Sequence, residues 1–256
     1  MSAAPPLPLG LCLLHGLFGA PSDWDAVVER LHAGGFAGPI VRPALGPTDG
    51  FAHTIATVEA ALAEAAPQGS VAWVWAGYSM GGRITTIAAA RSPWVAGWVL
   101  LAGHPGEADA DVRAERVRVD EDRADRLLAE GPEAFLRQWY AMPMFAPLVA
   151  RRGLAALLAA RAHVDAATAA SQLRSLSLGR QPAAAPPGAG APLLGTVAGA
   201  LDLTYRERLE AFCAARSAPL FVAPDAGHAL LLEAPDTVAR ALFEALRAQR
   251  ERQAQK

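Results

Sequence analysis

Gly77-Tyr78-Ser79-Met80-Gly81 sets a serine between two glycines, just after the apolar run Val71–Ala76 and just before a helical stretch that starts near Gly82. A strand that turns sharply into a helix needs glycine on either side of the turn, because a Cβ there meets neighbouring backbone. The turn thrusts the middle side chain outward. A serine hydroxyl presented in this way attacks a carbonyl or takes a proton only when an imidazole accepts its own proton and a carboxylate orients that imidazole. His228, in Pro224-Asp225-Ala226-Gly227-His228, follows the last apolar run and precedes the final helix, so it can reach the same edge as Ser79. Asp202, in Gly199-Ala200-Leu201-Asp202, follows the preceding run and is favoured as the carboxylate over Asp225, whose place three residues before His228 suits the turn. Of the remaining histidines, His15 reads as structural, His32, His53 and His163 lie in or beside helical stretches, and His104 follows a strand where it can line a pocket.

Developing negative charge has its own candidate site. His15-Gly16-Leu17-Phe18-Gly19 ends the first apolar run. The main-chain N–H groups of Leu17 and of Met80, the latter at a helix N-terminus, are expected to form an oxyanion hole. Arg83, four residues after Ser79, lies one turn along the same helix face. A cation in a first turn opposes the helix dipole, and an anionic ligand or a nearby carboxylate relieves that opposition.

Composition narrows the classes. The 256 residues suit one large domain or a core with one insertion, and 52% hydrophobic against 19% charged residues describes a chain that folds. A formal net charge of −2 gives no basic field for nucleic acid to follow. No apolar run approaches the roughly 18 residues of a spanning helix, and Met1 to Pro8 carries no basic stretch ahead of Leu11 to Leu14, so a cytosolic protein without a membrane partner is expected. Lys256 is the only lysine, which removes Schiff-base chemistry, and Cys12 and Cys213 read as buried thiols. No phosphate-loop, dinucleotide or zinc-helix signature is present, so neither metal nor cofactor is expected.

The elements that must position these residues follow from periodicity. Apolar runs at Pro8–Leu14, Gly38–Val41, Val71–Ala76, Gly97–Leu101, Leu193–Ala198 and Pro219–Ala223 have strand length, with helical spacing at Trp24–His32, His53–Ala65, Gly82–Arg91, Tyr205–Ala215 and Pro235–Arg247. The alternation predicts an α/β chain with a mostly parallel, doubly wound sheet of about six strands. Between about Pro105 and Pro192 it fails: helices are expected at Asp109–Glu130, Glu133–Tyr140, about Arg151–Ala162 and Ala166–Leu178, followed by a Pro/Ala/Gly tract from Gln181 that reads as a hinge or linker. The division is a core of residues 1–105 and 191–256, with residues 106–190 a helical lid over the carboxyl edge of the sheet.

Gly16, Gly77-Tyr78-Ser79, Asp202 and Gly227-His228, in the chain order Ser, Asp, His, resemble the α/β-hydrolase fold, although the fold's usual N-terminal hairpin is missing from this reading. Within that fold, Gly77-Tyr78-Ser79-Met80-Gly81-Gly82-Arg83, Gly103-His104-Pro105-Gly106, Arg113-Ala114-Glu115-Arg116, Trp139-Tyr140 and Pro143-Met144-Phe145-Ala146 resemble the motifs of the 2-succinyl-6-hydroxy-2,4-cyclohexadiene-1-carboxylate synthases, the MenH lyases of menaquinone biosynthesis. Arg42-Pro43-Ala44-Leu45-Gly46-Pro47 departs from that family's Asp-x-Pro-Gly-His-Gly stretch. The resemblance implies a small polycarboxylate substrate gripped by Arg83, Arg116 and Arg161, with Tyr78, Trp139 and Tyr140 walling its ring and Ser79 acting as base. It leaves open whether Arg113 replaces Arg116. The competing reactions are hydrolysis of a carboxylester or a C–C bond through a Ser79 nucleophile, and a ligand-binding receptor is disfavoured by the intact Ser, His and Asp set.

Overall fold

The computed structural model describes residues 6–255, so Met1–Pro5 and the lone lysine, Lys256, lie outside it. Strands β1 (Leu9–Leu14), β2 (Ile40–Val41), β3 (Ala72–Tyr78), β4 (Gly97–Leu101), β5 (Leu193–Gly199) and β6 (Leu220–Ala223) form one sheet in the order β2-β1-β3-β4-β5-β6. Every adjacent pair is parallel. The helices are α1 (Asp25–Ala33), α2 (Phe51–Ala65), α3 (Met80–Arg91), α4 (Ala110–Glu130), α5 (Pro132–Tyr140), α6 (Ala146–Arg152), α7 (Leu154–Ala160), α8 (Ala166–Ser175), α9 (Leu203–Ala214), α10 (Leu230–Glu233) and α11 (Pro235–Ala254). Among the described residues no single helix is long and apolar enough to cross a membrane.

The strands read as continuous apolar runs because both faces are covered. Leu11, Leu13, Val74, Ala76, Val99 and Leu101 face α1 and α11, whereas Cys12, Leu14, Trp73, Trp75, Trp98 and Leu100 face α2, α3 and α9. The chain leaves β1 toward β2 on one side and leaves β3 toward β4 on the other. The loops at the carboxyl ends of β1 and β3 therefore part and leave a crevice at this change of direction.

The segment between β4 and β5 is helical, and its Phe135, Leu136, Tyr140, Phe145, Leu148 and Leu173 form an apolar cluster with Phe18 after β1 and Ala229 after β6. Asp109 caps α4 by accepting the N–H groups of Asp111 and Val112, and Gly131 at φ 81° ends that helix and lets Pro132 open α5. Two expectations need correction. The helix expected at about Arg151–Ala162 is broken: Gly153, at φ 75°, separates α6 from α7, and the run that begins at Pro143 meets α7 at 96°. The helix expected to reach Leu178 ends at Ser175, after which Leu178–Arg180 forms a single 3-10 turn. The Pro/Ala/Gly tract has no regular structure and is anchored at both ends. Buried Gln181 donates to the His104 carbonyl at 3.1 Å, and the Ala191 N–H donates to the Ala89 carbonyl at 2.7 Å.

Gly81 lets the start of α3 pack directly on the end of β1. A Cβ there would overlap the Leu14 carbonyl and lie 2.6 Å from the His15 carbonyl oxygen. Because the clashing atoms are backbone of β1 and of the residue that follows it, which cannot swing aside as a side chain would, Gly81→Ala is expected to cost about 3 kcal/mol of stability. The urea midpoint, read at unchanged m-value, checks this.

Candidate active site

Ser79 sits at φ 53° and ψ −108°, a conformation that costs a non-glycine residue about 1–3 kcal/mol and persists only where its surroundings enforce it. Its N–H donates to the Leu101 carbonyl at 2.9 Å, which ties the turn to β4, and its carbonyl accepts the Arg83 N–H at 3.1 Å. Gly77 completes the constraint, since a side chain there would overlap the backbone of Gly81 and Gly82.

The loop after β6 brings His228 to this turn. The His228 N–H donates to the Met144 carbonyl at 3.2 Å, and the Glu233 carboxylate accepts the Ala229 N–H at 3.0 Å, so both flanks of the imidazole are fixed. His228 Nδ1 lies 2.7 Å from an Asp202 carboxylate oxygen, and Nε2 lies 3.0 Å from Ser79 Oγ. A carboxylate at Nδ1 holds the proton there and leaves Nε2 as the acceptor for the hydroxyl. The histidine is 2% and the aspartate 5% exposed, so their attraction acts in a water-poor setting. Asp225 is exposed and does not reach the imidazole; its carbonyl accepts from Arg151.

Across the crevice, the turn after β1 closes with the Gly19 N–H on the Gly16 carbonyl at 3.1 Å and with Phe18 at φ 60°. Gly16 is required here, because a Cβ would lie 2.8 Å from the Tyr78 ring. His15 Nδ1 meets the Gly16 carbonyl at 2.8 Å, and its Nε2 accepts the Leu45 N–H at 3.2 Å. Burial holds its pKa below the usual histidine value, so His15 is a neutral brace for this turn. Gln172, from α8, donates to the Leu45 carbonyl at 2.6 Å and to that of Gly46 at 3.0 Å, holding the stretch after β2. Leu17 and Met80 both line the cleft beside Ser79.

This cleft encloses about 1150 Å³, part of it open to solvent, between the sheet edge and the helical segment. Four of its lining residues are arginines. Arg83 donates to the Leu176 carbonyl and has no carboxylate partner; burial, and then the nearby Arg116, lower its pKa to about 10. Arg116 and Arg123 share the buried carboxylate of Asp120, at 2.7 and 3.0 Å, and the Ser177 hydroxyl also donates to it at 2.8 Å. Arg161 pairs with Asp23 at 2.7 Å and donates to the Tyr140 hydroxyl at 3.3 Å. Burial works against the Arg161 charge, but the Asp23 carboxylate more than offsets it and the pKa rises. Four guanidinium groups thus face two carboxylates, Asp23 and Asp120, which leaves an excess of positive charge for an anion to meet. Arg113 points elsewhere, donating to the Gly179 carbonyl at 3.1 Å, so Arg116 is the member of the pair that faces the cleft. Tyr78, Trp139 and Tyr140 line the walls, with Tyr78 5.6 Å from the His228 ring and Arg123 5.6 Å over the Trp139 ring.

Residues 13–241 match the model of the alpha/beta hydrolase family. Over 179 residues the chain is 35% identical to the 2-succinyl-6-hydroxy-2,4-cyclohexadiene-1-carboxylate synthases of Salmonella typhimurium and Salmonella agona, covering 67% of this chain and 69% of theirs. The chain belongs to that synthase family. The MenH structure from S. aureus superposes with a TM-score of 0.82 at 18% identity, covering 98% of this chain and 97% of that one. A thermophilic esterase from Thermogutta terrifontis, solved with malate bound, gives 0.74 at 21% identity over 95% and 91%. At these identities the two structures speak for the fold alone, and the fold is that of the MenH family: an alpha/beta hydrolase enzyme with a parallel six-stranded sheet.

Sequence reasoning missed several cleft residues of this MenH-family chain. Arg123 lies seven positions after Arg116, nearly two full helical turns and therefore on the same face of α4, and that spacing was the available signal. Asp120 lies between them on the same helix, and its burial at 2% exposure is a tertiary fact. Tyr205, three residues after Asp202, packs against His228 with ring centroids 4.6 Å apart and planes tilted by 58°. His104 lies away from the cleft: its Nδ1 accepts the Gly106 N–H at 3.1 Å and its Nε2 meets Arg208.

Burial, and next the charge of Arg208, lower the His104 pKa from 6.5 to about 4. The folded protein therefore refuses a proton that the unfolded chain accepts, and stability falls as pH drops from about 6.5 toward 4. His104→Gln removes this contribution, so the variant should lose less stability than wild type across that window, by on the order of 2–3 kcal/mol at its acid end. Urea unfolding at a series of pH values measures the difference in slope.

Proposed function

We propose that this chain is a carbon-oxygen lyase that eliminates pyruvate from 2-succinyl-5-enolpyruvyl-6-hydroxy-3-cyclohexene-1-carboxylate, the step of menaquinone biosynthesis that its relatives' name describes. The single observation that carries the reading is the hydrogen-bonded chain from Asp202 through His228 to Ser79 on the floor of a cleft with excess positive charge. Membership of the synthase family supports it.

In this reading Ser79 Oγ takes the proton from the ring carbon that bears the succinyl group while His228 accepts the hydroxyl proton, and Asp202 steadies the resulting imidazolium. The electrons left on carbon move onto the succinyl carbonyl oxygen. The N–H groups of Leu17 and Met80 stabilise that enolate, Met80 with the help of the N-terminal end of α3. Return of the electrons through the ring double bond breaks the carbon-oxygen bond to the enolpyruvyl group, which leaves as the enolate of pyruvate and takes a proton on carbon, while the Ser79-His228 pair gives up the proton it gained. The ring double bonds then lie where the 2,4-diene requires. Arg83, Arg116 and Arg161 grip carboxylates through paired hydrogen bonds, Tyr78, Trp139 and Tyr140 wall the ring, and the helices from α4 to α8 form the lid that excludes water.

The same Ser79-His228 contact would serve an ester hydrolase, so the test runs both reactions on purified protein. Pyruvate release from the enolpyruvyl precursor, lost by at least about a thousandfold in Ser79→Ala, is the expected result. Turnover of a short-chain nitrophenyl ester without pyruvate release would establish hydrolysis instead. A second outcome concerns Arg83: its replacement by alanine should lower kcat/KM for the precursor by about tenfold to a hundredfold. Unaltered kcat and KM would remove it from the carboxylate grip.

A further inference from the structure

The elimination chemistry assigns no task to Tyr205, yet its surroundings are those of a substrate contact. It lines the cleft together with Ser79, Arg83 and Arg116. It enters from the first turn of α9, three residues after Asp202, so the element that delivers the carboxylate to His228 also fixes the phenol. Its ring packs against the His228 imidazole, with centroids 4.6 Å apart and planes tilted by 58°, and meets the His104 ring edge-on at 6.5 Å. These contacts hold the ring on both sides. Among the described residues the hydroxyl has no hydrogen-bond partner, whereas the Tyr140 hydroxyl is already engaged by Arg161. A phenol in such a place is a donor awaiting an acceptor.

The charges around it say which acceptor. Arg116 and Arg83 both act on Tyr205, ahead of Asp202 and Arg208, and Arg83 in turn feels Arg116 and Tyr205, ahead of Asp120, so the three groups lie within electrostatic reach of one another. Burial keeps the phenol protonated despite the two cations. Two guanidinium groups, which can only donate, beside one neutral O–H that is free to donate suit a carboxylate better than an ester or an alcohol. We propose that the Tyr205 hydroxyl donates a hydrogen bond to a substrate carboxylate held by Arg83 and Arg116, and so sets the orientation of the substrate beside His228. This assignment extends the lyase reading and rests on it for the identity of the natural substrate; the chemical class of the group held here, a carboxylate, follows from the donor set itself.

Tyr205→Phe tests this cleanly, because it removes the hydroxyl and keeps the ring on His228. With wild type releasing pyruvate, the variant should show KM for the precursor raised about tenfold to a hundredfold with kcat within about threefold, and an unshifted pH profile, since the imidazole keeps its aromatic neighbour. Tyr205→Leu, which also removes the ring, should shift the pH profile as well. A binding measurement separates this proposal from the lyase reading: succinate is titrated calorimetrically into Ser79→Ala and into Ser79→Ala/Tyr205→Phe. Succinate should bind the first and bind the second at least fivefold more weakly. If wild type releases no pyruvate the lyase reading falls, and the succinate comparison alone decides on Tyr205. Equal succinate affinity in the two proteins, absence of succinate binding to the first, or unchanged KM in an active Tyr205→Phe enzyme would overturn the proposal.

Discussion

The left-handed backbone of Ser79 is the constraint on which the rest of the site depends. At φ 53° the chain turns from β3 into α3 within one residue, and nothing in serine itself favours that conformation. It is enforced from outside, by the hydrogen bond to β4, by the absence of side chains at Gly77 and Gly81, and by the packing of α3 against the end of β1. One arrangement thereby does three things. It lifts the hydroxyl above the sheet, sets Met80 in the cleft wall at the start of α3, and brings Leu17 of the turn after β1 into the same wall. The crevice itself is a consequence of winding, because the sheet changes direction between β1 and β3.

Electrostatics adds a second layer. Isolated buried guanidinium groups are costly, and the chain offsets three of the four in the cleft with Asp120 and Asp23. Arg83 alone has no carboxylate paired with it, and burial, with Arg116 nearby, lowers its pKa. A half-buried cation without a paired carboxylate, four residues from Ser79, is understandable if an anionic substrate completes it. The paired arginines then serve a different purpose: the shared carboxylates fix their planes and positions before anything binds, so less freedom is lost on binding. The aromatic rings around His228 exclude water from the imidazole and strengthen its bond to Asp202.

The sheet was legible because a parallel sheet covered on both faces writes itself as continuous apolar runs, and all six runs became strands, with no end shifted by more than two residues. The hydrogen-bonded set of Ser79, His228 and Asp202 was legible for a related reason: each residue follows a strand, and the carboxyl ends of parallel strands lie along one edge. The helical segment was harder. Its alanine-rich stretch around Leu154 has apolar character on all sides, so periodicity did not reveal the break at Gly153, which a positive φ imposes. Arg123 and Tyr205 were missed because their significance lies in what comes to face them from elsewhere in the chain. His104 was misplaced for the same reason, since the strand end that delivers it points toward Gln181 and Arg208 and away from the cleft.

The account stands or falls on whether an anionic substrate settles above Ser79 within reach of the unpaired guanidinium. The direct measurement is a crystal structure of the Ser79→Ala protein with the enolpyruvyl precursor bound. It should place the ring carbon that loses its proton next to residue 79 and the His228 Nε2 position, with Arg83 and Arg116 on a carboxylate. Precursor bound outside this cleft, or bound within it with those guanidinium groups facing no carboxylate, would contradict the account.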